Sequence, residues 1–280
     1  MARIVCVHGV GQQLIGPDTI ASEWIAPLRD GLRAAGARRD ELPSGDDVAV
    51  AFFGDLFRGR KDAGDAPFNL ADIEEGFETE LLLALASNAN IDQFEPKKAG
   101  WTPTMVQRAA VSLLRVKFFS AMTERMLVGS LKQVSWYLTD FQKRNQARER
   151  LARELTGETR VVIGHSLGSI VSYEVLCRTD QPIAPAFISL GSPLGWPNLI
   201  FDRLDPPPRD ARGRWPPTIT SWTNVADVHD IVAAVKRLSP LFERPIDDVE
   251  VDNEALAHDV RPYLTAPQTG AAILKALRGC

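Results

Sequence analysis

Short apolar runs alternate with longer amphipathic stretches along most of this chain. The short runs are rich in β-branched residues and predict buried strands at 3–7, 48–53, 160–163, 185–190, 218–225 and 249–251. Apolar residues at helical spacing predict helices at 18–35, 70–89, 104–128, 130–155, 169–176 and 267–278. The first of these helices is expected to begin at a cap residue, Asp18 or Thr19. Strands that alternate with helices predict the α/β class, with a mostly parallel sheet covered by helices on both faces.

The segment between the second and third predicted strands is longer than one crossover helix requires. We therefore predict one α/β domain over residues 1–280, with a helical insertion or cap at about 57–130, before the third strand. The apolar residues of this segment suit a lid over an acyl pocket or a surface for lipid. Ordinary helix packing explains most of them equally well, so contact with a membrane surface is permitted but not required.

Composition narrows the possible partners. The 280 residues carry a net charge of −4, which gives no indication of nucleic acid as a partner. No apolar run approaches the roughly 18 residues that span a bilayer, and the amino-terminal residues lack the pattern of a signal peptide. The three cysteines are scattered, and neither they nor the four histidines have the spacing of a metal site. A cytoplasmic protein without a metal or a cofactor is expected.

The strongest chemical signal is the segment Gly164-His165-Ser166-Leu167-Gly168, which lies between a predicted strand and a predicted helix. A strand, a sharp Gly-x-Ser-x-Gly turn and a helix form a nucleophile elbow, which holds a serine hydroxyl out of the strand and within reach of a base. Glycine is expected at 164 and 168 because a Cβ there would press against the neighbouring strand or helix. Ser166 is therefore the candidate nucleophile.

Other chemically useful residues also lie just beyond predicted strand ends. In a parallel sheet, the carboxyl ends of the strands lie at one edge, where functional groups collect. These groups are the His8-Gly9-Val10 turn, Ser166, Ser192, the segment 227–230 and the loop that contains His258. We expect all of them on one rim of the sheet.

Taken together, these motifs resemble the α/β-hydrolase superfamily over most of the chain, with the helical region before the elbow as the least typical part. The segment 164–168 resembles the elbow of that family, and the segment 8–11 resembles its oxyanion loop. The segment 229–232 is similar to the Asp-Ile-Val-Pro pattern around the acid of fungal-type lipases, although Ala233 replaces the proline.

The resemblance implies a role for each candidate residue. Ser166 would be the nucleophile, His258 the base, and the backbone N–H groups of Val10 and Leu167 the oxyanion hole. The triad acid is Asp230, favoured by its sequence context, or Asp227, which lies closer to the strand end. The carboxylate that is not the acid should be solvated or cap a turn.

The remaining polar neighbours have less direct roles. We expect His8 to hold the oxyanion loop by hydrogen bonds, His165 to point away from the serine, and His229 to be partly exposed. Asp259 is not expected to face the imidazole of His258.

These residues together predict a lipase- or esterase-like serine hydrolase that cleaves a small-molecule or lipid acyl ester through an acyl-enzyme. Three other substrate classes suit the same triad, because the elbow does not specify the leaving group: amides, peptides and thioesters. A further alternative is a non-catalytic interaction protein that binds a partner through the helices between 70 and 155. Leu194 and Trp196 are candidate walls of a substrate pocket.

Overall fold

The computed structural model describes residues 2–58, 68–91, 102–119, 122–179 and 186–279. Within these ranges, six strands form one sheet: β1 (Ile4–Val7), β2 (Val48–Ala51), β3 (Val161–His165), β4 (Ala186–Leu190), β5 (Ser221–Asp227) and β6 (Asp247–Val251). Their order in the sheet is β2-β1-β3-β4-β5-β6, and all neighbouring strands are parallel. The predicted α/β class and parallel sheet are therefore confirmed.

Helices cover both faces of the sheet. They are α1 (Pro17–Ala34), α2 (Phe77–Asn88), α3 (Pro103–Leu114), α4 (Glu124–Thr139), α5 (Phe141–Glu154), α6 (Leu167–Arg178), α7 (Val260–Thr265) and α8 (Pro267–Arg278). One apolar core lies between the sheet and α1, α7 and α8. The other core lies between the opposite face and α2 to α6. No helix in the described ranges has the length and apolarity that a membrane span requires.

Burial follows the position of each strand in the sheet. All residues of β1, β3 and β4 are buried, which explains why these strands are mostly apolar and show no alternation of apolar and polar residues. The edge strand β6 instead has the sequence Asp-Asp-Val-Glu-Val and is mostly accessible to solvent. Its carboxylates discourage pairing with another strand.

Several predicted helix boundaries were wrong. Neither Asp18 nor Thr19 caps α1, because the helix begins at Pro17, whose fixed φ suits the first helical position, and Gly16 is its N-cap residue. The described residues of 104–155 form three helices instead of two. At the second break, the Asp140 carboxylate accepts hydrogen bonds from the N–H groups of Gln142 and Lys143 and so starts α5 directly after α4.

The segment between β2 and β3 contains α2 to α5. Of the predicted insertion at 57–130, residues 59–67, 92–101 and 120–121 lie outside the described residues. The predicted helix at 70–89 begins later than expected, because Gly76 has a φ of 91° and α2 starts at Phe77. Helix α7 was not predicted at all; it is only six residues long, which is too short to show a helical period.

A buried carboxylate holds this helical segment to α6. Glu174 of α6 has no exposed surface and accepts hydrogen bonds from the Tyr137 hydroxyl at 2.6 Å and from Arg148 Nε at 2.9 Å. Arg144 forms a further ion pair with it. These contacts fix α4 and α5 against α6, which is the helix that follows the predicted nucleophile.

Candidate active site

Ser166 lies at the turn between β3 and α6. Its backbone has a φ of 52° and a ψ of −125°, a conformation that costs a non-glycine residue free energy and is common at functional sites. The N–H of Ser166 donates to the carbonyl of Leu190 in the adjacent strand at 3.0 Å. The strand, sharp turn and helix predicted for this segment are all present.

Two glycines permit this turn, as the sequence predicted. A Cβ on Gly164 would lie 2.7 Å from the Cα of Ser169 in the helix that follows. A Cβ on Gly168 would overlap the carbonyl oxygen of Val7 and lie 2.5 Å from that of His8. The elbow can therefore approach β1 and its own helix only because both positions lack a side chain.

A continuous chain of hydrogen bonds joins Ser166, His258 and Asp230. Ser166 Oγ lies 3.0 Å from His258 Nε2, and His258 Nδ1 lies 2.7 Å from Asp230 Oδ2. The acid is completely buried, whereas 23% of the imidazole side chain is exposed. With Asp230 ionised, Nδ1 carries the ring proton and its N–H donates a hydrogen bond to the carboxylate, which leaves Nε2 free to accept a hydrogen bond from the serine hydroxyl.

The surroundings of Asp230 keep it ionised. Burial alone would raise the pKa of its carboxyl, but the charge of His258 and the hydrogen bonds from His258, Tyr263 and Ala233 outweigh burial and lower the pKa. Oδ1 also accepts from the N–H of Val232 at 2.9 Å. The carboxylate is therefore held on both oxygens.

Asp227, the other candidate acid, does not contact the imidazole. It is completely buried, and Oδ1 accepts a hydrogen bond from the N–H of His229 at 2.7 Å, while Oδ2 accepts one from the N–H of Asn253. Asp227 thus caps the turn after β5 and joins it to the turn after β6. Of the two carboxylates, the structure brings Asp230 to His258.

Tyr263 is a member of this network that the sequence did not reveal. Its hydroxyl donates to Asp230 Oδ2 at 2.8 Å and accepts from the N–H of Asp227 at 2.8 Å. Burial raises the pKa of the Tyr263 phenol, as does the nearby charge of Asp230, so the hydroxyl keeps its proton. Tyr263 follows His258 by five residues, which places it near the candidate base in the sequence. That spacing does not show where its hydroxyl points.

We expect Tyr263→Phe to lower the free energy of unfolding by about 2 kcal/mol at pH 7, because the lost hydrogen bond serves a buried, charged acceptor. The lowered pKa of Asp230 contributes stability above the unfolded-state pKa of about 4, and this contribution is lost as the pH falls. The stability deficit of the variant should therefore persist down to about pH 4 and shrink as the pH falls further, through the lowered pKa of Asp230 in the folded protein. Urea unfolding at pH 7 and at about pH 2 measures both quantities.

Tyr173→Phe is the matched control for this experiment. Tyr173 is also completely buried, but its hydroxyl donates to the neutral carbonyl of Arg214 at 2.9 Å. Its removal should cost about 1 kcal/mol at both pH values. A deficit for Tyr263→Phe that is equally independent of pH would show that its hydroxyl does not stabilise the charge on Asp230.

The other three histidines have structural positions. His8 holds the turn after β1: Nδ1 donates to the carbonyl of Gly9 at 2.7 Å, and Nε2 accepts from the N–H of Phe53 at 3.1 Å. His165 Nε2 donates to the carbonyl of His258 at 3.0 Å, and the two imidazole rings lie 4.9 Å apart. His229 is exposed. His8 and His229 lie as the sequence predicted, and Asp259 pairs with Arg261 instead of the imidazole.

The predicted oxyanion residues, Val10 and Leu167, both lie beside Ser166 and His258 on one cavity wall. The loop that contains Val10 is held by Gln133 of α4, a second residue that the sequence analysis missed. Gln133 Oε1 accepts from the N–H of Gly11 at 3.1 Å, and its Nε2 donates to Gln13 Oε1 at 3.2 Å. The sequence feature that could have identified Gln133 is a polar amide on the buried face of an amphipathic helix, since a buried amide needs hydrogen-bond partners.

An apolar cavity of about 110 Å³ opens beside Ser166 and His258. Its walls come from the turn after β1, α2, α4, α6, the loop after β4 and the turn after β5, together with Phe118, Phe119 and Met122. Apart from Ser166 and His258, Ser130 is the only polar residue among those described that line it. Of the two predicted wall residues, Trp196 lines the cavity, whereas Leu194 is buried in the core.

No protein-family model matches the chain, and no curated protein or solved structure shows significant similarity to it. The chemistry of the site therefore follows from its own geometry. Among the described residues, no group of three or more His, Cys, Asp or Glu side chains is arranged to hold a metal ion. The arrangement provides a serine hydroxyl in contact with an imidazole, a buried acid behind the imidazole, and an apolar space beside the hydroxyl.

Proposed function

We propose that the chain is an α/β-hydrolase and acts as a serine hydrolase on carboxylic esters. The observation that carries this proposal is the chain of hydrogen bonds from Ser166 through His258 to Asp230, at the wall of an apolar cavity. The strand order and the elbow after β3 support the same fold type. The insertion at about 57–130 would be its cap, because residues of α2 and of the start of α4 line the cavity.

In the first half of the reaction, His258 Nε2 takes the proton of Ser166 as Oγ attacks the acyl carbonyl. Negative charge then develops on the carbonyl oxygen, and the backbone N–H groups of Val10 and Leu167 stabilise it by about 3 kcal/mol per donor. Asp230 stabilises the imidazolium. His258 gives its proton to the leaving alcohol, and an acyl-enzyme remains.

In the second half, His258 removes a proton from a water molecule that attacks the acyl-enzyme. The same two N–H groups stabilise the second tetrahedral intermediate, and Ser166 recovers its proton when the acid departs. The apolar cavity holds the acyl chain, whose burial provides binding free energy at about 25 cal/mol per Å². A small-molecule or lipid ester with an apolar acyl group is the proposed substrate class.

A fluorophosphonate probe tests this function directly, because it labels only an activated serine. The wild type should be labelled and Ser166→Ala should not. Ser22→Ala is the matched control, since Ser22 is an exposed residue of α1 and should not affect labelling. Equal labelling of wild type and Ser166→Ala would contradict the assignment.

A matched panel of ester, thioester and amide substrates then tests the leaving group. We expect esters to have the highest kcat/KM, and an excess for thioesters or amides would reassign the reaction. If the folded wild type is not labelled and a stable partner is captured through the helices of 70–155, the interaction-protein alternative is favoured.

A further inference from the structure

Trp196, in the loop after β4, lies between two hollows in the protein. One is the apolar cavity beside Ser166. The other, which we call the outer groove, has a volume of about 710 Å³ and is lined by Ala84, Ser87, Leu199, Arg203 and Val235, among others. Trp196 lines both hollows. It is therefore a shared wall that separates them.

The same three segments form the wall around Trp196, with neighbouring residues on opposite sides. On α2, Leu81 and Leu85 line the cavity, whereas Ala84 lines the groove. In the loop after β4, Ile200 lines the cavity and Leu199 the groove. The segment 232–235 likewise has Val232 on the cavity side and Ala234 and Val235 on the groove side. The cavity and the outer groove therefore lie next to each other and are separated by one wall, which these three segments form.

Hydrogen bonds hold the tryptophan in place. Its indole Nε1 donates to the carbonyl of Val232 at 2.7 Å, across to the opposite segment of the partition. Its own carbonyl accepts from the N–H groups of Ile200 at 3.1 Å and Phe201 at 2.9 Å. Only 3% of Trp196 is exposed. An acyl chain that fills the cavity therefore meets a fixed wall, not a mobile side chain.

We propose that Trp196 closes the acyl end of the site and restricts the enzyme to esters of short acyl chains, of about six carbons or fewer. The size follows from the cavity, because an apolar cavity of about 150 Å³ holds a six-carbon ring, and this one measures about 110 Å³. A longer chain has to displace the indole or leave methylenes in water. This inference rests on the proposed esterase function and assigns its substrate class.

A series of p-nitrophenyl esters from acetate to dodecanoate tests the limit in the wild type. We expect kcat/KM to be highest for butyrate or hexanoate and to fall by at least about tenfold at octanoate and beyond, since even one misplaced methylene changes specificity by about that factor. A wild type that hydrolyses dodecanoate as well as butyrate overturns the proposal.

Trp196→Ala tests the cause of the limit, because it joins the cavity to the outer groove. The ratio of kcat/KM for dodecanoate to that for butyrate should rise by at least about tenfold. Loss of a large buried ring is destabilising, so Trp196→Leu provides a second, milder opening of the same wall. Fluorophosphonate labelling of Ser166 confirms that each variant retains a working nucleophile. A labelled variant that keeps the short-chain limit overturns the role of Trp196.

Two controls separate the wall from its surroundings. Trp196→Phe keeps an aromatic ring but loses the hydrogen bond to Val232, and it should retain the short-chain limit. Leu199→Ala alters only the groove side, and its chain-length profile should match that of the wild type. Failure of the proposed function has a different signature: no ester of the series is hydrolysed and no probe labels Ser166.

Discussion

We expect Asp230→Asn to lower kcat for ester hydrolysis by roughly 10⁴-fold, a loss typical of a triad acid replaced by its amide. The hydrogen bonds explain the size of the loss. The N–H groups of Val232 and Ala233 point at Oδ1, so they fix the amide oxygen of the asparagine on that side. The NH₂ group then faces His258 Nδ1, which must accept a proton instead of donating one. The imidazole takes the wrong tautomer, and Nε2 can no longer accept the proton of Ser166.

Asp227→Asn is the matched control, because the two acids lie in the same turn and differ in what they contact. The carboxylate of Asp227 accepts hydrogen bonds from the backbone N–H groups of His229 and Asn253. The backbone N–H of Asp227 donates to the Tyr263 hydroxyl. Its amide would leave one N–H unpaired, at a cost of about 1–3 kcal/mol in stability. Its kcat should stay within about tenfold of the wild-type value. Steady-state kinetics and urea unfolding of both variants decide between the acids, and a greater kinetic loss for Asp227→Asn would reverse their roles.

The electrostatics of the histidines suggest why one imidazole among them is suited to proton transfer. Burial lowers the pKa of His8 to about 4 and that of His165 to about 3, so both remain neutral at pH 7. His8 Nε2 accepts from the N–H of Phe53, which only a neutral ring can do, and His165 Nε2 donates to the carbonyl of His258. His258 alone has a carboxylate on one side and a serine hydroxyl on the other. The neutral histidines hold the loops, and His258 is the one placed for the proton transfers of the proposed reaction.

The strand positions and their parallel arrangement could be anticipated from the sequence because burial on both faces favours mostly apolar runs. The runs at 3–7 and 160–163 predicted β1 and β3. Each strand starts one residue later than predicted, and β3 ends two residues later. Once the strands are parallel, their carboxyl ends must share an edge, which places Ser166, Asp230 and His258 on one rim. The parts of the site that follow from the backbone were therefore accessible to sequence reasoning.

The parts that depend on side-chain direction were not accessible. The Tyr263 hydroxyl reaches Asp230 from a helix of six residues, too short to reveal which face is buried. Gln133 reaches the turn after β1 across more than a hundred positions of sequence. Trp196 could be named as a pocket wall from its place after β4, but only the structure shows that a second hollow lies behind it. Such contacts arise from tertiary packing, which local periodicity does not encode.

The elbow leads to a second large effect, this time on folding. We expect Gly168→Ala to lower the free energy of unfolding by about 4 kcal/mol or more and the melting temperature by about 10 °C. The new Cβ would overlap the carbonyl oxygen of Val7 and stand 2.5 Å from that of His8, at the end of β1. These are backbone atoms of a central strand, so no side chain can rotate away to relieve the contact. Calorimetry or urea unfolding measures the loss.

Gly157→Ala separates this steric effect from the general consequence of replacing a glycine. Gly157 lies in the turn before β3, and a Cβ there meets no atom within 4 Å. Alanine also restricts the unfolded chain, so this variant should be as stable as the wild type or more stable by up to about 1 kcal/mol. If Gly168→Ala were equally well tolerated, α6 could move away from β1 without cost. Ser166 would then not be held by the packing of the elbow against that strand, and the alignment of its hydroxyl with His258 would need another cause.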